Sequence, residues 1–314
     1  MGRNYYEMAL KIQEEIKTVV LGKDEIINKI LAATLAGGHV LLDDIPGVGK
    51  TTLALAFSRA TSMEYRRLQF TPDVLPTDVT GFTVYDKKTD SFQYKEGVAF
   101  CNLFLADEIN RTSSKTQSAL LELMEEGKIT VDGVVHPLPD PYMVIATQNP
   151  IGSVGTQMLP DSQLDRFMVC VSMGYPSLED EAAILKDRQD KNPLESVKPV
   201  ADKEDIKAMR EIVKNVYTDD KIYDYIAAIA DETRQNEMFK LGLSPRGSLT
   251  LARLSRAVAF LRGRDFVIPD DIAYVFRDVA AHRVVLSPKA KLSGLLIDDI
   301  LTNVLDKVLV PKLS

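Results

Sequence analysis

The chain is poor in the residues that build ligand cages and cross-links. It has two cysteines, Cys101 and Cys170, and three histidines in 314 residues. That is too few for a disulfide framework or a His/Cys metal cluster. Both cysteines stand in apolar surroundings and read as small core residues. No apolar run approaches the roughly 20 residues that cross a bilayer. No apolar signal core follows residues 1–7, so a reducing cytoplasm is the expected compartment. Positive charge is not in excess either: 38 Lys and Arg stand against 45 Asp and Glu, for a net charge of −7. Neither half of the chain is strongly basic, which argues against bulk electrostatic binding to nucleic acid.

What is present is a regular alternation. Short apolar runs at 40–42, 68–70, 103–106, 143–147 and 168–171 are separated by segments of helical periodicity. Runs of this kind read as buried parallel strands, and strand–helix alternation implies a layered α/β sheet. Two helices are expected before the first strand, the second with Asp24 as its N-cap. Past Tyr175-Pro176 the strand-like runs stop and the pattern is helical. The boundary is therefore drawn there, with an α/β domain over 1–175 and a helical domain over 176–314. Two hairpins are expected inside the first domain. One spans about 81–95; the other spans about 128–137, turned at Asp132-Gly133, a strong turn pair.

The chemistry starts at Gly47-Val48-Gly49-Lys50-Thr51-Thr52. It follows the first apolar run and precedes a helix-forming one. In that context glycines let backbone N–H groups turn toward an anion, and the helix brings its positive end to the same place. The segment predicts a phosphate loop for a nucleoside triphosphate. Lys50 would reach the β/γ-phosphates and the Thr51 hydroxyl would ligate Mg²⁺. The loop departs from the full GxxxxGK[ST] pattern, because Asp44 occupies the first glycine position. A second apolar run ends in Asp107-Glu108. Asp107 there would hold Mg²⁺, and Glu108 would orient the attacking water. A third ends in Gln148-Asn149, where an amide would sit between the second acid and the γ-phosphate. Arg166, in the segment 163–167, and Arg246, at the head of a C-terminal helix, are further cations of interest. Arg246, Arg253 and Arg256 share one helix face by their spacing.

Taken together, the order of these segments resembles the AAA+ ATPases, and within them the MoxR family. The resemblance rests on Asp107-Glu108-Ile109-Asn110-Arg111 with Lys115 to Glu122, on Ala146 to Pro150, on Leu159-Pro160 with Gln163 to Phe167, and on Ser244-Pro245-Arg246 with Leu261 to Asp265. It covers about residues 10–312. It implies an AAA+ P-loop core, a parallel sheet flanked by helices, followed by an all-α lid. It also implies ATP and Mg²⁺ as cofactors. Lys50 and Thr51 then belong to Walker A, Asp107 and Glu108 to Walker B, and Asn149 is sensor 1. Arg246 is sensor 2, reaching from the lid to the γ-phosphate of its own subunit. Arg166 is an arginine finger acting on the neighbour's nucleotide. Val20 and Gly22 belong to the adenine pocket. The resemblance further implies a homo-oligomeric ring of about six subunits that remodels client proteins, matures or loads cofactors into them, and works with a von Willebrand factor A domain partner. A nucleic-acid motor, a magnesium-chelatase-like subunit and a weakly hydrolysing nucleotide-gated scaffold are the alternatives, with nucleic acid disfavoured by the acidic charge.

Overall fold

Val40, Leu41 and Leu42 are all fully buried, although successive strand residues point to opposite faces of a sheet. Both faces must therefore be covered, and a computed structural model, which describes residues 4–149, 159–187 and 193–312, shows how. The first half runs α1 (Tyr5–Lys17), α2 (Asp24–Leu35), β1 (Val40–Asp43), α3 (Lys50–Thr61), β2 (Tyr65–Gln69), α4 (Pro76–Thr80), β3 (Gly81–Asp86), β4 (Ser91–Glu96), β5 (Leu103–Asp107), α5 (Ser114–Glu126), β6 (Lys128–Val131), β7 (Val134–Pro137), β8 (Met143–Gln148), α6 (Asp161–Leu164) and β9 (Val169–Val171). The second half runs α7 (Leu178–Asp187), α8 (Lys203–Lys214), α9 (Asp220–Gln235), β10 (Phe239–Leu241), α10 (Pro245–Leu261), α11 (Pro269–Ala280), β11 (Val285–Leu286), α12 (Pro288–Leu292) and α13 (Ile297–Lys307).

The main sheet has five strands in the order β2-β5-β8-β1-β9. Every pairing in it is parallel: Val40 stands beside Ile145 on one side and Val169 on the other, and Leu103 beside Tyr65 and Met143. Val40 and Leu42 pack into one core with α1, α2, α3 and the helical half. Leu41, Phe104 and Val144 pack into a second core on the other face with α5. The first core continues without a break across the 175/176 boundary into Ile206, Leu251 and Phe276. Ile300 and Val304 of α13 are buried in it too.

Three expectations are corrected. The strand expected at 68–70 runs from Tyr65 to Gln69. It is an edge strand with partly exposed Arg66 and Arg67, so its start carries no apolar signal. Asp24 is the first residue of α2, and the N-cap is Lys23, which makes no side-chain cap. The helical half also contains a short antiparallel pair, β10 with β11, too brief to show periodicity.

Both expected hairpins form, β3 with β4 and β6 with β7. Asp132 and Gly133 both have positive φ, 49° and 79°, as the mirror-image turn that suits strand twist requires. The hairpins meet through Tyr94, stacked on His136 with ring centroids 3.8 Å apart. Phe82, Tyr85 and Phe92 remain exposed on the first. Among the described residues no helix is long and apolar enough to cross a membrane, and no group of three or more His, Cys, Asp or Glu side chains is placed to hold a metal.

Candidate functional site: a phosphate loop beside paired acids

Between β1 and α3 the chain turns through Gly47 and Gly49, at φ 87° and 97°. Nothing lies within 4 Å of a side chain built at Gly47, and only the Met173 methyl, at 3.9 Å, approaches one at Gly49. The left-handed backbone, not crowding, therefore calls for glycine here. Gly49 caps α3 without a side-chain bond, so the first N–H groups of the helix face the loop unpaired. Lys50 is buried, and its Nζ donates to the Asp44 carbonyl at 2.7 Å. Burial lowers the Lys50 pKa, while Asp44, Asp107, Glu108 and Asp43 pull it the other way. The ammonium thus sits in a shielded spot ringed by carboxylates.

Asp44, the departure from the glycine pattern, has a definite job. Its carboxylate accepts from Ser172 Oγ at 2.8 Å, from Gly174 N at 3.1 Å and from Met173 N. It ties the start of the loop to the segment leaving β9.

The acids stand one strand beyond β8. Asp107 Oδ1 accepts the Thr147 hydroxyl at 2.6 Å, and Oδ2 accepts Arg67 Nη2 and Nε at 2.7 and 3.2 Å. The same Thr147 oxygen accepts the Glu108 N–H at 2.8 Å. Glu108 itself is left-handed, φ 58°, an uncommon state for a non-glycine residue that the Thr147 bond helps to hold. Its carboxylate is paired with Arg111 Nη1 at 2.7 Å and approached by Gln69 Nε2 at 3.5 Å. Burial pushes the Glu108 pKa up, but bonds from Arg111, Asn149 and Gln69 outweigh it and hold the pKa below the ordinary value. Asn110 fixes Asn149 by taking its N–H at 3.3 Å and donating to its carbonyl at 3.1 Å. Sequence reasoning missed the roles of Thr147, Arg67, Gln69, Arg111 and Asn110. A buried threonine before Gln-Asn and an arginine in an edge strand were the available signals.

Thr51, at the start of α3, and Asp107 offer the hard oxygen donors that Mg²⁺ prefers. A cleft of about 290 Å³ opens beside the loop, lined by Val20, Leu21, Val48, Thr52, Met173 and Tyr175. Its size and apolar walls suit a planar base. Gly22, expected there, lines the adjoining cleft instead. Its missing side chain makes room for Asp180, whose Oδ2 would stand 2.0 Å from any Cβ.

Arg166 and Arg246 lie elsewhere, and together. Glu125 bridges them, with Arg166 Nε at 3.3 Å and Arg246 Nη2 at 2.6 Å. The carbonyl of the preceding residue, Met124, meets the ring of His39, which immediately precedes β1. The trio therefore sits where the strands begin, a strand length of about 13 Å from the edge that carries the loop. The expectation that Arg246 reaches the phosphate of its own subunit does not hold in this arrangement. Arg253 and Arg256 share a face, as expected, but line a separate cleft of about 530 Å³ with Lys207, Arg210 and Lys214.

Comparison with known proteins agrees with this geometry. Residues 39–169 match the family described as ATPase family associated with various cellular activities (AAA), and residues 231–304 match the AAA lid domain. The Bacillus subtilis protein YeaC is 48% identical over 96% of this chain and 94% of its own. Chaperone MoxR1 of Mycobacterium tuberculosis is 37% identical over 96% of this chain and 81% of its own. A crystal structure of a Cytophaga hutchinsonii protein superposes with TM-score 0.90 at 33% identity, covering 98% of this chain and 96% of that one. A nucleotide-type loop, a five-stranded parallel sheet, a helical lid and relatives of this similarity agree: the chain belongs to the MoxR family of AAA+ ATPases.

Proposed function

We propose that this protein hydrolyses ATP in a homo-oligomeric ring and uses the turnover to remodel client proteins. The observation that carries the reading is Thr147, which joins Asp107 and Glu108 through one hydroxyl while Asn149 bonds the Glu108 carboxylate. In this reading Gly47, Val48, Gly49 and Thr52 wrap the phosphates with backbone N–H groups, and Lys50 exchanges the Asp44 carbonyl for phosphate oxygens. Glu108, kept below the ordinary carboxylate pKa, orients a water for in-line attack. Asn149 holds that carboxylate in place. Thr51 and Asp107 would hold Mg²⁺, which when bound neutralises charge on the phosphates. Val20 packs against the base.

Arg166 and Arg246 are both partly exposed beside Glu125 on the far edge, which supports a role for them at a neighbour's nucleotide rather than their own. A finger supplied in trans contributes roughly 10³ to 10⁵ in rate where it is used. A ring, of six subunits in our reading, follows from sites shared in this way. The chaperone reading takes support from the mycobacterial relative, chaperone MoxR1. A partner with a von Willebrand factor A domain and a cytoplasmic setting belong to the same proposal. The exposed aromatic hairpin is the surface we assign to client contact. The second hairpin carries a single lysine, Lys128, a thin basis for tracking nucleic acid.

The test is specific ATPase activity against protein concentration, with Arg166→Ala chains mixed into wild type. Activity that rises with concentration and is poisoned by the variant supports shared sites. Flat, additive activity overturns the ring reading.

A further inference from the structure

The segment that carries Arg166 has little structure of its own. Helix α6 ends at Leu164 and β9 begins at Val169. Between them two neighbouring side chains of the helical half meet the chain: His282 Nε2 stands 3.1 Å from the Phe167 carbonyl and 2.8 Å from Arg283 Nη1, and Arg283 makes most of the contacts. Arg283, in the turn between α11 and β11, is buried, 6% exposed. Its Nε donates to Asp165 Oδ1 at 2.7 Å. Its Nη2 donates to the carbonyls of Asp165 and Phe167 at 3.1 and 2.6 Å. Its Nη1 donates to the carbonyls of Met168 and Val279 at 3.2 and 2.6 Å. Four of these five bonds fall on Asp165, Phe167 and Met168, the residues that flank Arg166. A guanidinium has five N–H groups in a rigid planar fork, and here each meets an oxygen. Lysine offers three donors from one point and cannot hold separate carbonyls on both sides of a residue.

We propose that Arg283 is the positioning residue of Arg166. By fixing the peptide that enters the finger and the carbonyls of the two residues that follow it, it sets the direction in which the Arg166 side chain leaves the backbone. It also makes that direction a property of the lid, because Arg283 is rooted in α11 through the Val279 carbonyl. A lid displaced in one subunit then displaces the finger presented to the next. Misplacing a charge-stabilising group by about 1 Å costs on the order of 10²-fold in rate. The inference rests on the reading of Arg166 as a trans finger, and the experiment separates the two.

The mixing test uses three single variants: Arg283→Gln, Arg166→Ala and Glu108→Gln. Arg283→Gln is expected to lower kcat about 10- to 100-fold while leaving KM and the affinity for a fluorescent ATP analogue within about twofold. It has an intact site and a misplaced finger, whereas Glu108→Gln has an intact finger and a dead site. Mixing the two, the first slowed and the second inactive alone, is expected to raise activity well above the sum of the separate chains, as is mixing Arg166→Ala with Glu108→Gln. The double variant Arg166→Ala/Arg283→Gln is expected to be no slower than Arg166→Ala. If the Arg166 mixture fails to restore activity, the trans reading falls and takes this inference with it. If that mixture restores activity and the Arg283 mixture does not, only the positioning role is overturned. A double variant much slower than Arg166→Ala overturns it as well. Arg283→Lys keeps a buried cation without the fork. It should lose at least part of kcat and complement in the same way, and it carries the test if the glutamine variant fails to fold.

Discussion

Replacing Asp44 with glycine would restore the full phosphate-loop pattern, and the structure says this damages the protein. Asp44 is 5% exposed and holds three donors more than a hundred residues away in the chain. Ser172 is exposed, so water replaces its bond at little cost. Met173 is buried, and its orphaned N–H costs about 1–3 kcal/mol. Gly174 is half-buried and adds a fraction of that. Glycine itself adds about 0.5–1 kcal/mol through the greater freedom of the unfolded chain. The expected loss is about 2–4 kcal/mol, read as a lower unfolding midpoint in urea. Asp44→Asn keeps one acceptor but turns an NH₂ toward an N–H donor, so it should fall between glycine and the parent. Nucleotide affinity should fall with stability, because Met173 and Tyr175 line the base cleft that Asp44 anchors to the loop. A glycine variant as stable as the parent would refute the reasoning. It would mean that taking the carboxylate out of water costs as much as its three bonds return.

Two other perturbations test the frame around the site. Thr147→Val keeps the shape but strips Asp107 of a donor and leaves the Glu108 N–H unpaired; it should cost about 1–3 kcal/mol and lower kcat, and Thr147→Ser should recover both, so a silent valine variant removes Thr147 from the site. His39 is buried with Nδ1 accepting the Val144 N–H at 3.0 Å, and burial, with a contribution from Arg210, lowers its pKa to about 4. Since the unfolded imidazole takes its proton near pH 6.5 and the folded one only near 4, stability from this group is intact above 6.5 and drains by about 1.4 kcal/mol per pH unit down to 4. Urea unfolding across that window should show one proton less of pH dependence in His39→Gln, and an unchanged slope would count against a neutral buried ring.

The divide between what could be read from the chain and what could not follows the range of the interactions. Lys50, Thr51, Asp107, Glu108 and Asn149 were legible because each sits at a strand end or helix start that the chain writes in consecutive residues. Gly47 and Gly49 declare the backbone they adopt. The four inner and far-edge strands β1, β5, β8 and β9 show themselves because both faces are covered, which leaves their runs largely apolar, whereas the edge strand β2 shows only its end. The Asp132-Gly133 turn is equally local.

Strand order was not legible, and order sets the frame of the site. Only the sheet puts β8 between β1 and β5, so that Thr147 meets both acids, and only β2 at the edge delivers Arg67 to Asp107. Asp44 read as a defect in a motif until the fold brought the 172–174 segment against it. Arg246 read as a partner of its own phosphate until α10 packed its start beside Glu125. Arg283 carried no signal, since its bonds go to backbone carbonyls that every sequence has. Local propensity and covalent neighbours are specified residue by residue; contacts between distant segments depend on which faces are buried together, and those exist only once the chain has folded.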